Sequence, residues 1–225
     1  MTEGKMTKEE LREDPVLEGL AKLKKFIEEK GFYLLIVVLL AIAAVVGSQV
    51  YRRMGARAEQ RAAVLVLGGE AQYQQGNLAE ALTNFKQAYE KQKGATSGKI
   101  GLLRAADCEA EMGNAAGAKD LYEKFIASPP KDGLLKASGL RGLAGILDSS
   151  GQHEQAAKLY IEAAGIAESP LRPDDLISAG FAYADAGKWS EARDAFQRVI
   201  EEFGENPRAR DAREGIEMTR VHLGS

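Results

Sequence analysis

A chain of 225 residues with 45% hydrophobic content is long enough for one sizeable folded domain and a further segment. Its 30 Lys and Arg stand against 33 Asp and Glu, a net charge of −3, so there is no large positive field to draw a phosphate backbone; nucleic acid is not an expected partner. Seven Phe, seven Tyr and one Trp among abundant Ala, Leu, Glu and Lys favour helices over strands and predict an all-α fold. The single cysteine, Cys108, excludes an internal disulfide and reads as a small buried hydrophobe.

The first element in chain order is amphipathic. Val16, Leu20, Leu23 and Ile27 recur at helical spacing opposite Lys24, Lys25 and Glu28, so within residues 1–30 a helix is expected that lies along a membrane surface or docks on a partner. From Gly31 to Tyr51 no residue is charged, and as a helix this stretch spans roughly 30 Å, the thickness of a bilayer's hydrocarbon core. Lys30 and Arg52-Arg53 bound it, with Tyr33 and Tyr51 near its ends, where amphipathic rings favour the interface. Ala41-Ile42-Ala43 resembles a signal-peptide cleavage site, but the 30 residues ahead of the run are rich in Glu and Asp, which favours an uncleaved anchor over residues 31–51. Ala43 with Gly47 and Ala44 with Ser48 could admit a second helix, though such small residues are common in spanning helices. Lys22, Lys24, Lys25 and Lys30 on one side balance Arg52, Arg53, Arg57 and Arg61 on the other; Lys5, Lys8 and Arg12 tilt the wider count toward a cytoplasmic N-terminus.

Residues 52–225 carry a repeat. Glycines recur at Gly76, Gly113, Gly151 and Gly187; five residues after each comes an alanine (Ala81, Ala118, Ala156, Ala192), and nine after each an aromatic (Phe85, Tyr122, Tyr160, Phe196). The pattern predicts helix hairpins, with glycine in the turn, alanine where two helices approach closely, and the aromatic filling space between neighbouring pairs. A pair of this kind leaves an apolar face that the next pair covers. Leu65, Leu102, Leu140 and Leu176 are the expected bulky residues of the first helices, with Leu67-Gly68 and Ala179-Gly180 nearest to a following Leu-Gly pair. Breakers at Gly94-Ala95-Thr96-Ser97-Gly98 and Ser128-Pro129-Pro130 read as connections, and the polar segment 208–223, with Ile216 and Val221, reads as a capping helix.

These residues, as in Gly76-Asn77-Leu78-Ala79-Glu80-Ala81-Leu82-Thr83-Asn84-Phe85, resemble the tetratricopeptide repeat family over about residues 60–205. The resemblance implies an α-solenoid of about four helix pairs whose first helices line a peptide groove. The side chains in register for it are Val66, Glu70 and Tyr73; Leu103, Asp107 and Ala110; Arg141, Gly145 and Asp148; and Ile177, Phe181 and Ala184. The Lys and Asn with which some relatives clamp a terminal carboxylate are replaced here by Val-Glu, Leu-Asp, Arg-Gly and Ile-Phe. An apolar groove with Glu70, Asp107 and Asp148 would favour hydrophobic segments bearing Lys or Arg; ordinary packing is the alternative reading of half these residues.

Catalytic chemistry is not expected. The two histidines, His153 and His222, lie in no metal-ligand spacing, and Gly94–Ile100 departs from a phosphate loop in its glycine spacing and its closing residue. Asp174-Asp175 and Glu201-Glu202 read as cap and solvated-face residues. No cofactor, metal or small-molecule substrate is expected.

A short polar N-terminus, one spanning helix and a C-terminal repeat domain together resemble the YfgM-like family of bacterial inner-membrane proteins. That resemblance implies a single-pass protein with periplasmic repeats, attached to the Sec translocon beside a membrane-anchored prolyl isomerase-like chaperone and handling emerging secreted chains. Two alternatives stay open: a scaffold that assembles an envelope or secretion complex through one fixed partner, and an import-receptor-like protein with cytosolic repeats.

Overall fold

The computed structural model describes residues 15–128 and 130–224, and among them there are nine α-helices and no strand. The side chain of Val16, and Lys5, Lys8, Arg12 and Pro129 entirely, lie outside this description. The helices are α1 (Pro15–Gln74), α2 (Leu78–Lys91), α3 (Thr96–Glu111), α4 (Ala115–Ala127), α5 (Gly133–Ser149), α6 (His153–Ala164), α7 (Arg172–Asp185), α8 (Trp189–Phe203) and α9 (Ala209–Leu223). The chain divides between Gly55 and Ala56 into two compact units.

In the first unit, α1 holds a stretch long and apolar enough to cross a membrane, with a mean hydropathy of 2.0 and none of it buried by protein. Val37, Leu40, Ile42 and Val46 are all more than half exposed, which is the surface expected of a helix whose solvent is lipid. Leu20, Leu23 and Ile27 of the amphipathic segment are exposed as well.

The second unit is built from four helix pairs and a cap. The last turns of α1 pair with α2, then α3 with α4, α5 with α6 and α7 with α8, while α9 packs on α8 and α7. All four repeat glycines are left-handed, with φ of 79°, 78°, 77° and 72° at Gly76, Gly113, Gly151 and Gly187. The cause is one repeated C-terminal cap. At the first, Gly76 N–H donates to Tyr73 C=O at 2.9 Å and Asn77 N–H to Gln72 C=O at 3.0 Å; Asn114, Gln152 and Lys188 close the other three turns in the same way. A left-handed residue satisfies the last carbonyls of the first helix and reverses the chain, and only glycine adopts it without a Cβ clash.

The alanines five residues on are all fully buried. The aromatics divide in role. A methyl at Gly69 would lie 2.5 Å from the Phe85 ring, and one at Gly180 2.5 Å from the Phe196 ring, so these two phenylalanines close their own pairs. Tyr122 reaches the next pair, where a methyl at Gly142 would meet its ring at 2.4 Å, and Phe196 also touches the cap at Gly215. Tyr160 is half-buried above Gly145. The small residue that receives the second helix sits at Gly69, Ala106, Ala144 and Gly180, so in the first pair it is Gly69 and not the neighbouring Gly68.

Two expectations change. The segment Gly94–Gly98 is not all connection, because α3 starts at Thr96: the Glu59 carboxylate accepts from Thr96 N–H and Ser97 N–H, both at 2.8 Å, and caps the helix from the preceding pair. Asp175 is no solvated-face residue; its side chain is 1% exposed and ion-paired to Arg141. In the cap, Ile216 packs inward while Val221 is 82% exposed.

Candidate functional site

The first helices of the pairs carry the twelve residues expected to face a bound segment, and they do not form a uniform lining. Leu103, Ile177 and Ala184 are buried in the two hydrophobic clusters, at 6%, 3% and 5% exposure. Val66, Tyr73 and Ala110 are half-buried, packed against the same core. Phe181 is the large apolar side chain presented outward, 43% exposed and held edge-on to Phe196 with ring centroids 5.1 Å apart. That contact fixes the ring while leaving one face free.

The polar members are tied to one another across helices. Arg104 pairs with Glu70 at 2.7 Å and with Asp107 at 3.4 Å, joining the first pair to the second. Asp107 also accepts from the Tyr122 hydroxyl at 2.7 Å, and the Tyr73 hydroxyl donates to Glu111. Arg141 grips Asp175 with two nitrogens, at 2.6 and 2.9 Å, and reaches Ser169 at 3.4 Å. The Asp148 carboxylate lies 2.7 Å from His153 Nδ1. Glu70, Asp107 and Asp148 therefore each hold a partner within the chain, and recruiting a Lys or Arg of a bound segment there means opening one of these pairs.

Protonation follows from the surroundings. Burial pushes the Asp107 carboxyl and the Tyr122 phenol up, and the hydrogen bond to Glu111 pushes the Tyr73 phenol up to about 12, so both phenols stay donors at neutral pH. Burial raises the Cys108 thiol to about 11, which leaves it unreactive and agrees with its expected packing role.

The structure also brings together residues the sequence kept apart. The donor atoms of Asp148, His153 and Asp185, from α5, α6 and α7, lie within 4.8 Å of one another at the turn end of the third and fourth pairs. Asp148 and His153 are visible in sequence as the two flanks of one turn, whereas Asp185 comes from the next pair and only the stacking of repeats adds it.

Comparison with known proteins agrees with the repeat architecture. A family profile described as a tetratricopeptide repeat-like domain matches residues 24–223. No curated protein matches the chain. Among solved structures, a tetratricopeptide repeat protein from Parabacteroides merdae is 20% identical with a TM-score of 0.60 over 72% of this chain, which spans 61% of that structure's length. MamA of AMB-1 is 16% identical, with a TM-score of 0.56 over 73% of this chain and 83% of its own. YrrB, described as a tetratricopeptide protein with an unusual peptide-binding site, is 20% identical, with a TM-score of 0.55 over 71% and 76% of the two chains. At these identities the likeness shows the fold, and the profile match over most of the chain shows the family: the protein belongs to the tetratricopeptide repeat-like domain family.

Proposed function

We propose that the protein is a membrane-anchored protein-binding module: residues 31–51 span the bacterial inner membrane, the N-terminal 30 residues stay in the cytoplasm, and residues 52–225 form a periplasmic repeat domain that receives secreted chains as they leave the translocon. The observation that carries this reading is Phe181, a ring left 43% exposed and fixed by Phe196 on the face of the first helices, with Val66 and Tyr73 half-buried on the same register. An exposed aromatic of this kind gives weak, exchangeable contact with apolar segments, which suits a protein that must release what it holds. The anchor supplies what affinity does not, by confining the surface near the exit channel and raising its effective concentration for emerging chains. The peptide-binding site described for YrrB, on the same fold, and the resemblance to the YfgM-like family support this reading.

The test is photocrosslinking from position 181 in the full chain, expressed in bacteria, together with protease accessibility in spheroplasts. Accessible repeats that capture translocon subunits and varied secreted chains are the expected result, with capture from position 73 reduced by Phe181→Ala. A single dominant folded partner would point to the scaffold instead, and protected repeats to a cytosolic receptor.

A further inference from the structure

The first pair leaves open a face that every later pair covers. In the later pairs, the position twelve residues before the turn glycine, and in the second and third pairs also the one nine residues before it, lies against the pair that precedes. In the second pair, a methyl at Gly101 would lie 2.7 Å from the Phe85 carbonyl oxygen, and Arg104 reaches back to Glu70 at 2.7 Å. In the third, methyls at Gly139 and Gly142 would each meet an aromatic ring of the second pair, Phe125 and Tyr122, at 2.4 Å. In the fourth, Asp175 reaches back to Arg141. The corresponding residues of the first pair are Val64 and Leu67, and both are 69% exposed.

The rim of that face is cationic. A groove of 680 Å³ beside Val64 is lined by Arg57, Arg61 and Leu65 of α1 and Lys91 of α2. Among the described residues none of these three cations forms an ion pair, while Glu59, the acid of the same stretch, is turned away to cap α3. The surface thus offers helix-packing positions filled by bulky apolar residues, flanked by positive charge that forms no ion pair among the described residues.

We propose that an acidic amphipathic helix of a partner protein docks on this face in place of the missing preceding pair, its apolar stripe on Val64 and Leu67 and its carboxylates on Arg57, Arg61 and Lys91. The inference rests on the reading of the protein as a protein-binding module, but it assigns a second surface, distinct from the face that presents Phe181. Helix on helix is favoured over lipid because the open positions are those that receive a helix in the later pairs.

The test uses the full chain in nanodiscs of zwitterionic lipid and a fluorescent peptide of about 18 residues, with Leu at helical i, i+3, i+4 and i+7 spacing and Glu on its flanks. Saturable binding that weakens with salt is expected. It should fall at least about tenfold in Arg57→Glu/Arg61→Glu and in Val64→Ser/Leu67→Ser, with helicity unchanged by circular dichroism, and stay as it was in Phe181→Ala. The absence of saturable binding, equal binding of a scrambled or Lys-flanked peptide, or loss only in Phe181→Ala would overturn the proposal. So would a photocrosslinker at position 64 that labels only lipid when anionic nanodiscs replace the zwitterionic ones. Because Phe181→Ala reports on the other face alone, failure here and failure of the client-binding reading give different patterns.

Discussion

The joint between the second and third pairs and the joint between the third and fourth use the same sequence position for opposite chemistry. At the first, Gly139 and Gly142 are bare so that Phe125 and Tyr122 press their rings onto the α5 backbone. At the second, the residue equivalent to Gly139 is Asp175, and the joint is a bidentate ion pair with Arg141, supported by Ser169 and by Arg172 Nε donating to the Ala164 carbonyl at 2.8 Å. One joint is held by close packing that any added atom disturbs; the other adds to its apolar packing, with Ala164 and Leu176 in one buried cluster, a charge pair that any unpaired partner exposes. In a solenoid whose pairs touch only their neighbours, either kind suffices, and each fails in its own way.

The largest effect is expected from breaking the ionic joint on one side only. Arg141→Met leaves the Asp175 carboxylate, 1% exposed, without its cation, and should cost about 3–5 kcal/mol in denaturant unfolding, with hydrogen-exchange protection falling in α7 to α9 before α3 to α5. Arg141→Met with Asp175→Leu should recover most of the loss, since an apolar pair of matching size removes the buried charge altogether. Burial already pushes the Asp175 carboxyl up, against the pull of the guanidinium. With that pull gone the folded value rises further above the unfolded one, so the deficit of the single variant should shrink as pH falls and the carboxyl protonates. A deficit independent of pH would show that the pair acts through packing alone.

The apolar joint breaks by addition. Gly139→Ala places a methyl 2.4 Å from the Phe125 ring, itself 1% exposed, and should destabilise by about 1–3 kcal/mol. Gly145→Ala, in the same helix, is the control: the nearest atom to its methyl is the Tyr160 hydroxyl at 3.7 Å, an ordinary contact, so it should stabilise by about 0.5–1 kcal/mol through helix propensity. If the two alanines shift the thermal midpoint in the same direction, close approach at Gly139 is not what holds the joint.

What the sequence disclosed and what it concealed divide along the same line. The turn glycines, the buried alanines and the four-pair organisation were legible because they depend on local geometry, which recurs wherever the chain makes the same turn. The capping helix and the apolar run in α1 were legible for similar reasons of pattern and length. The joints were not. Gly139 and Asp175 occupy one repeat position yet share no chemistry, and the Arg141–Asp175 pair spans neighbouring repeats, so no spacing within one repeat reveals it. The candidate groove suffered likewise: register placed Leu103 and Ile177 beside Phe181, but only stacking decides that the first two are buried and the third is not. Asp107 looked like a free acid until Tyr122 was brought to it from the neighbouring helix, although Arg104, three residues earlier on α3, was within reach by spacing alone.

Within a single pair the comparison sharpens to backbone alone. At Gly151 a methyl would meet nothing within 4 Å, so Gly151→Ala tests only the left-handed φ of 77°. The expected loss is about 1–2 kcal/mol, less for Gly151→Asn, whose side chain tolerates that conformation. Equal losses for the two, read from urea midpoints, would mean that the turn has changed its geometry.

The smallest effect concerns the joint between the first two pairs, where a buried acid, Glu109, is paired with a half-exposed lysine. Lys86 donates to the Glu109 carboxylate at 2.7 Å; that hydrogen bond holds the carboxyl below its ordinary range against the opposing effect of burial, with Asn114 adding a second bond at 2.8 Å. A folded value below the unfolded one means that the pair's contribution is fully present above the unfolded carboxylate range, about 4.3, and is lost as pH falls through the folded value. Lys86 is 45% exposed, so Glu109→Gln should lower stability at pH 7 by less than about 1 kcal/mol. The difference between wild type and Glu109→Gln should then close once the pH has fallen below the folded value. A gap that persists unchanged there would assign the effect to the Asn114 hydrogen bond, and the ionic contribution to this joint would be nil.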